Sequence, residues 1–165
     1  MENIMRINSS NVLQVNVNEY DDAIFLDCDD ASIFEKFSLL YDNIAKISDE
    51  AGQKMEELKK KYVRKDGDLV NTDEIRAYTK VNIEFSRKVM GELNAVFGQD
   101  FTDKVYRRNY EINPDFVPNT TALTELVESL APVMEKAYGE RIERNKSKYS
   151  AAKRGKYTKK NDADE

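Results

Sequence analysis

The chain has 165 residues, of which 35% are charged, and its formal net charge is −5 at pH 7. Histidine is absent, which excludes His-based catalytic triads, histidine metal sites and any imidazole acid–base step. The single cysteine excludes an internal disulfide and a zinc site built on paired cysteines. The length is typical of one domain, and the composition argues against most enzyme classes.

Two short apolar segments near the N-terminus predict a β-ribbon over residues 11–28. The first segment is rich in valine, and the second, residues 23–28, is an apolar run of strand length that includes Asp27. The sequence Glu-Tyr-Asp-Asp at 19–22 separates them and indicates a turn. Because a two-stranded ribbon is only marginally stable alone, we expect it to lie on a helix or to pair with another chain through its edge.

A helix is predicted over residues 31–62, because apolar residues recur there every three or four positions. Asp29 and Asp30 open it, and Ser32 with Glu35 matches the capping-box pattern. The apolar stripe consists of Ile33, Phe37, Leu40, Ile44, Ile47, Ala51, Met55, Leu58 and Tyr62. Such a helix would be about 45 Å long.

Three further segments continue the helical pattern. A helix is predicted over residues 72–97, with Thr72 as its cap and Gly98 as its stop. A short helix follows over 100–106, and two prolines mark residues 109–118 as a loop. The last helix is predicted from Asn119 or Thr120 to residue 149, with a kink or a restart at Pro132.

These elements predict a mainly α fold with a small N-terminal β-ribbon (α+β). We expect the long helices to pack as a small bundle in one domain, residues 1–149. Residues 150–165 have the composition of a flexible basic tail. No apolar run approaches the ~18 residues that a membrane span needs, so we expect no membrane contact.

No catalytic, cofactor-binding or metal-binding residue is predicted. The acidic run at residues 27–30 lacks the alternating ligands, the glycine and the distal glutamate of a calcium loop, and helix capping explains it better. The glycines are isolated, so no phosphate-binding loop is present. The sequence therefore predicts a protein that is not an enzyme.

An apolar and aromatic group surrounds the break at Gly98 and enters the loop after it. Two interpretations are open: a local core that closes the helix turn, or an apolar surface that receives a partner helix. The candidate partner-binding residues are Phe97, Phe101, Val105, Tyr106 and Tyr110.

Positive charge is concentrated near the C-terminus. Residues 141–160 contain nine basic residues and one acidic residue, a net +8, which leaves −13 for the rest of the chain. A segment of this kind can bind a nucleic acid or an acidic partner. A solvated helix end with a basic tail that binds nothing explains it better, because basic residues late in a helix suit its dipole. Its candidate contact residues are Arg141, Arg144, Lys148, Lys153 and Arg154.

The order of these elements, together with three short patterns, resembles the tail assembly chaperones of long-tailed phages and prophages of Gram-positive bacteria. The patterns are Asp-Asp-Ala-Ser-Ile-Phe-Glu-Lys-Phe at 29–37, Val-Phe-Gly-Gln-Asp-Phe-Thr-Asp-Lys-Val-Tyr at 96–106, and Asn-Lys-Ser-Lys-Tyr-Ser at 145–150. The resemblance covers residues 11 to about 155 and rests on architecture.

The resemblance implies a non-enzymatic role in the cytoplasm of the bacterial host. Such proteins bind the tape measure protein, keep its hydrophobic helices soluble and help to recruit tail tube protein. They are absent from the mature virion, and many also have a longer, frameshifted form. A homo-oligomer is compatible with the ribbon edge. The alternatives are a small nucleic-acid-binding adaptor that uses the basic segment, or a structural neck or tail component of the virion.

Overall fold

The computed structural model describes residues 11–63 and 71–139, and it shows a mainly α fold with a small N-terminal β-hairpin. This confirms the predicted fold class. The elements are β1 (Val12–Asn16), β2 (Ala23–Asp27), α1 (Ala31–Lys61), α2 (Thr72–Phe97), α3 (Phe101–Val105), α4 (Arg107–Ile112) and α5 (residues 120–139).

The ribbon is antiparallel, with Gln14 of β1 directly opposite Phe25 of β2. Because side chains alternate along a strand, one face of the ribbon points to the helices and the other points to solvent. On the inner face, Ile24 and Leu26 are buried, whereas Leu13 is half-buried. The ribbon therefore packs on the helices, as one of the two predicted arrangements requires.

The helix starts are correct to within a residue, but two of the predicted caps are wrong. Asp30 caps α1, and its carboxylate accepts from the Ser32 N–H at 2.9 Å, so Ser32 belongs to the helix and is not its cap. Likewise, Asn71 caps α2 in place of Thr72. A short polar side chain just before the first turn accepts a hydrogen bond from one of the free N–H groups there. In both helices an Asp or Asn at that position is the cap.

Gly98 ends α2, as predicted. Its φ of +123° lies in a region that side-chain-bearing residues rarely adopt, and its N–H donates to the Asn94 carbonyl at 2.9 Å. The loop prediction for residues 109–118 is wrong at its start, because α4 extends to Ile112. Tyr110 packs its ring against Phe116 and Arg107 pairs with Glu111 one turn later, and these contacts override the turn preference of Asn109.

Helix α5 begins after Asn119, whose side chain accepts from the Ala122 N–H at 2.8 Å. The helix passes through Pro132 without a restart. Proline removes one intrahelical hydrogen bond, and both Pro132 and Glu128, one turn earlier, are exposed, so water can solvate the unbonded carbonyl. The predicted helical residues 140–149 and the tail at 150–165 lie outside the described residues.

Helices α1 and α2 lie antiparallel for most of their length. Asn43 Nδ2 donates to Glu92 Oε2 at 2.9 Å, and farther along α1, Lys54 Nζ lies 3.2 Å from Glu84 Oε2. Helix α5 covers the end of this pair that contains the start of α1. Tyr138, near the end of α5, contacts Phe34, near the start of α1. The first turn of α5 lies beside Ser48.

Beyond Ser48, α1 and α2 continue together as two helices, which we call the two-helix extension (residues 49–61 and 72–84). At 1.5 Å per residue it is about 20 Å long. No residue of the extension belongs to the hydrophobic core cluster of the described chain, whereas residues 33–47 of α1 and 85–97 of α2 contribute to that cluster repeatedly. Among the residues that the structure describes, the helix pair therefore has a hydrophobic core at one end and only partly covered apolar residues at the other, and we call these its closed and open ends.

Candidate partner-binding site

The predicted aromatic residues lie mostly inside the protein. Phe101 is fully buried and Tyr106 is 8% exposed, while Phe97, Val105 and Tyr110 are partly buried and pack against the core. The rings of Phe97 and Phe101 lie 5.0 Å apart across the Gly98 turn. The geometry is that of a local core, and partner contact through these residues stays a prediction.

The turn before α3 is held by a polar contact that supports this packing. Asn94 accepts from the Thr102 N–H at 2.9 Å and donates to the Thr102 hydroxyl at 3.0 Å. Thr102 is itself buried, so both of its polar groups are satisfied inside the protein. The contact therefore holds the first turn of α3 against the end of α2 and keeps Thr102 inside the protein.

Tyr106 is the unusual member of the group. Its hydroxyl is buried and has no hydrogen-bond partner among the residues that the structure describes. Burial, with a smaller contribution from Tyr110, raises the pKa of Tyr106 to about 12. Burial also raises the pKa of Tyr110. Both phenols are therefore neutral near pH 7 and contribute packing, not charge.

A better candidate for partner binding is an open apolar groove where α1, α2 and α5 meet, which we call the three-helix groove. Its volume is about 270 Å³, enough for one or two large apolar side chains. The rim includes Thr124 and Glu128, so the floor is apolar and the edge is polar. The apolar lining consists of Ile44, Phe85, Val89, Leu123 and Val127.

The two-helix extension continues from this groove. Its facing apolar residues are only half-buried, because two helices cannot surround a seam that a third helix would cover. The residues of this seam are Ala51, Met55, Leu58 and Tyr62 on α1, and Tyr78 and Val81 on α2. The groove and the seam together form an apolar surface. This surface continues the line along which α5 packs on α1 and α2 at the closed end.

Charged pairs join the two helices beside the seam. Lys54 pairs with Glu84 at 3.2 Å, and Lys88 pairs with Glu50 at 3.4 Å. The hydrogen bond from Lys54 lowers the pKa of Glu84 below its usual value. These pairs are exposed and contribute little stability, but their opposite signs set the relative position of the two helices.

A polar network fastens the ribbon turn to α3 and α4. The Arg107 guanidinium lies 3.1 Å from Asp22 and stacks 4.3 Å from the centre of the Tyr20 ring, whose hydroxyl donates to Glu111 at 2.8 Å. Hydrogen bonds from Asn18 and Arg107 lower the pKa of Asp22. Sequence reasoning missed this network, because its members lie more than 80 positions apart and no local pattern connects them.

The groove residues were predicted as members of apolar stripes, but not as a site. One signal was present in the sequence: the stripe of α1 is longer than the helix that could cover it. The basic residues Arg141, Arg144, Lys148, Lys153 and Arg154 lie outside the described residues. Among the residues that the structure describes, no group of three or more His, Cys, Asp or Glu side chains could hold a metal ion.

No protein-family model, curated protein or solved structure matches the chain. None of the helices in residues 11–63 and 71–139 combines the length and the apolar character that a membrane crossing requires. The surface of the described chain is thus the main guide to what the protein binds.

Proposed function

We propose that this protein is a non-enzymatic assembly chaperone that binds an apolar helix of a client protein. The observation that carries the proposal is the apolar surface formed by the three-helix groove and the half-buried seam of the two-helix extension. A client helix would lie along α1 and α2 beyond the first turn of α5, and would complete a three-helix bundle there.

The chemistry of this surface suits a helix more than a small molecule. The seam is about 20 Å long and presents apolar side chains from two parallel rows, which match the i, i+3, i+4 spacing of an amphipathic partner. Burying about 500 Å² of apolar surface would contribute roughly 12 kcal/mol before the costs of association and ordering are subtracted.

The sequence resemblance supports a specific client, the tape measure protein of a long-tailed phage or prophage. In that role, the chain keeps the hydrophobic helices of the client soluble in the host cytoplasm and promotes addition of tail tube protein. It is not retained in the mature virion. The acidic character outside residues 141–160, a net −13, suits a carrier that must keep an apolar client in solution.

The test is co-expression with a hydrophobic-helix fragment of the tape measure protein from the same genome. We expect the fragment to stay in the soluble fraction with the wild-type chain. Thr124→Lys places a charge on the rim of the groove and should weaken binding at least about tenfold, because the ammonium must be desolvated against an apolar helix.

Ser129→Lys is the matched control. Thr124 and Ser129 are both exposed hydroxyl residues of α5, and each donates to a backbone carbonyl of the preceding turn. Only Thr124 borders the groove. If the fragment precipitates equally with and without the chain, the proposed function is wrong. If Thr124→Lys and Ser129→Lys bind the fragment equally well, the groove is not the binding site.

A further inference from the structure

The two edges of the ribbon differ in how their backbone groups are used. The Cys28 N–H donates to the Asn11 carbonyl at 3.0 Å, and the Val17 N–H donates to the Asp22 carbonyl at 2.9 Å. In an antiparallel ladder the bonded pairs alternate, so the odd-numbered residues of β1 bond to β2. The backbone groups of the even-numbered residues of β1 therefore point away from the ribbon.

The outer edge of β2 is partly occupied by this chain itself. Lys104 Nζ donates to the Ala23 carbonyl at 3.3 Å, and the Asp30 N–H donates to the Asp27 carbonyl at 3.0 Å. Within residues 11–63 and 71–139, no side chain or backbone group donates to or accepts from the outward backbone groups of β1. The ribbon thus has one edge that this chain partly uses and one edge that is open within the described chain.

Burial also decreases from β2 to β1. The inward side chains of β2, Ile24 and Leu26, are 4% and 2% exposed, whereas Leu13 and Val15 of β1 are only half-buried. β2 is therefore more deeply buried than β1, although Leu13 and Val15 also pack against the core. A further strand beside β1 would cover the area that Leu13 and Val15 still expose.

The sequence of β1, Val-Leu-Gln-Val-Asn, contains no charge and no proline. Natural sheet edges are commonly protected by charged residues, prolines or bulges that prevent pairing, and β1 has none of the first two. In a chain with a net charge of −5, an uncharged strand is also a place where two copies can meet without like charges opposing each other.

We propose that two copies of this chain pair antiparallel through β1, around a two-fold axis at Gln14. In this register Gln14 lies opposite Gln14 of the second copy and Val12 lies opposite Asn16. The outward backbone groups of Val12, Gln14 and Asn16 then all form hydrogen bonds with the second copy. The pairing extends over the whole length of β1. The result is a four-stranded sheet, with Leu13 and Val15 of the two copies adjacent on its inner face.

This interface uses no residue of the three-helix groove, so it is independent of client binding. Five residues a side bury much less than the 1,200–2,000 Å² of a typical stable complex, so we expect a weak dimer that forms at high concentration. Chaperones bound side by side on one long client would experience such a concentration.

Sedimentation velocity of the full chain over a concentration series tests the pairing. We expect the wild type to dimerise reversibly, and Gln14→Lys or Gln14→Glu to weaken dimerisation roughly fivefold, because like charges then face each other across the axis. An equimolar mixture of the two variants should restore dimerisation. Gln53→Lys, an equal charge change on an exposed residue of α1, should have no effect.

Amide exchange of the wild type gives a second readout that needs no variant. With rising concentration, exchange should slow at Val12, Gln14 and Asn16, and not at Leu13 or Val15, whose N–H groups already face β2. The proposal is overturned if the wild type stays monomeric at every concentration, if Gln14→Lys dimerises like the wild type, or if the mixed variants fail to associate.

Discussion

The two ends of the α1–α2 pair share one sequence pattern and differ in what covers them. At the closed end, Leu40 and Leu93 are at most 1% exposed beneath α5 and the ribbon. At the open end, the stripe continues with the same spacing through Leu58 and Tyr62, but these residues are only half-buried. The same periodicity thus accompanies a buried core where a third element is present and half-buried apolar side chains where the described residues provide none.

The largest expected difference between the core and the extension is the loss of unfolding free energy when a leucine side chain is shortened to alanine. Leu93→Ala is expected to lower the free energy of unfolding by about 2–5 kcal/mol, because it leaves a cavity in a fully buried site. Leu58→Ala should cost about 1 kcal/mol, since its side chain gives up less buried area. Urea denaturation measures both values. Equal losses would mean that the extension is as closed as the core.

Two glycines provide a finer comparison of the same regions. Gly91 lies in the closed end and Gly52 in the extension, and a Cβ added at either position meets nothing within 4 Å. Alanine favours the helix by about 1 kcal/mol at each site. We expect Gly91→Ala to raise the global free energy of unfolding, and Gly52→Ala mainly to slow amide exchange within residues 49–61. Equal global gains would show that the two regions unfold as one unit.

The smallest expected effect concerns the buried hydroxyl of Tyr106. Its pKa in the folded protein, about 12, lies above the ordinary value of 10.0, so its contribution to stability is complete below pH 10 and is lost as pH rises through 12. Tyr106→Phe removes an unpartnered hydroxyl and should keep or raise stability at pH 7 by up to about 1 kcal/mol.

The same variant should lose less stability than the wild type between pH 10 and 12, as thermal unfolding across that range would show. Tyr78→Phe, a half-buried position in the extension, is the matched control. A wild type and a Tyr106→Phe variant with identical alkaline profiles would contradict the assignment of this phenol to the core.

Local patterns predicted most of the fold, because helix periodicity, turn residues and strand composition act over a few neighbours. The bounds of α2 were predicted at 72–97 and observed at Thr72–Phe97. Helix α4 was missed because its stability depends on the packing of Tyr110 against Phe116, which the local turn signals oppose. Caps were misplaced by one or two positions, because several adjacent residues could each accept the same hydrogen bond.

The candidate site was less predictable than the fold. Ile44, Phe85 and Leu123 each read as core in their own helices, and only the packing shows that an open groove lies between them. The apolar periodicity of α1 does not indicate how far along it helix α5 packs. The contact between Arg107 and Asp22 is likewise a consequence of the tertiary fold, and no local rule contains it.

Hydrogen exchange of the full chain with and without the tape measure fragment tests most directly whether a client helix covers the seam. We predict that the bound client slows exchange in residues 49–61 and 72–84 and in the first turns of α5, because a third helix then covers the seam. Protection confined to the ribbon or to α3 and α4, with exchange in the extension unchanged, would show that the client does not bind along the seam.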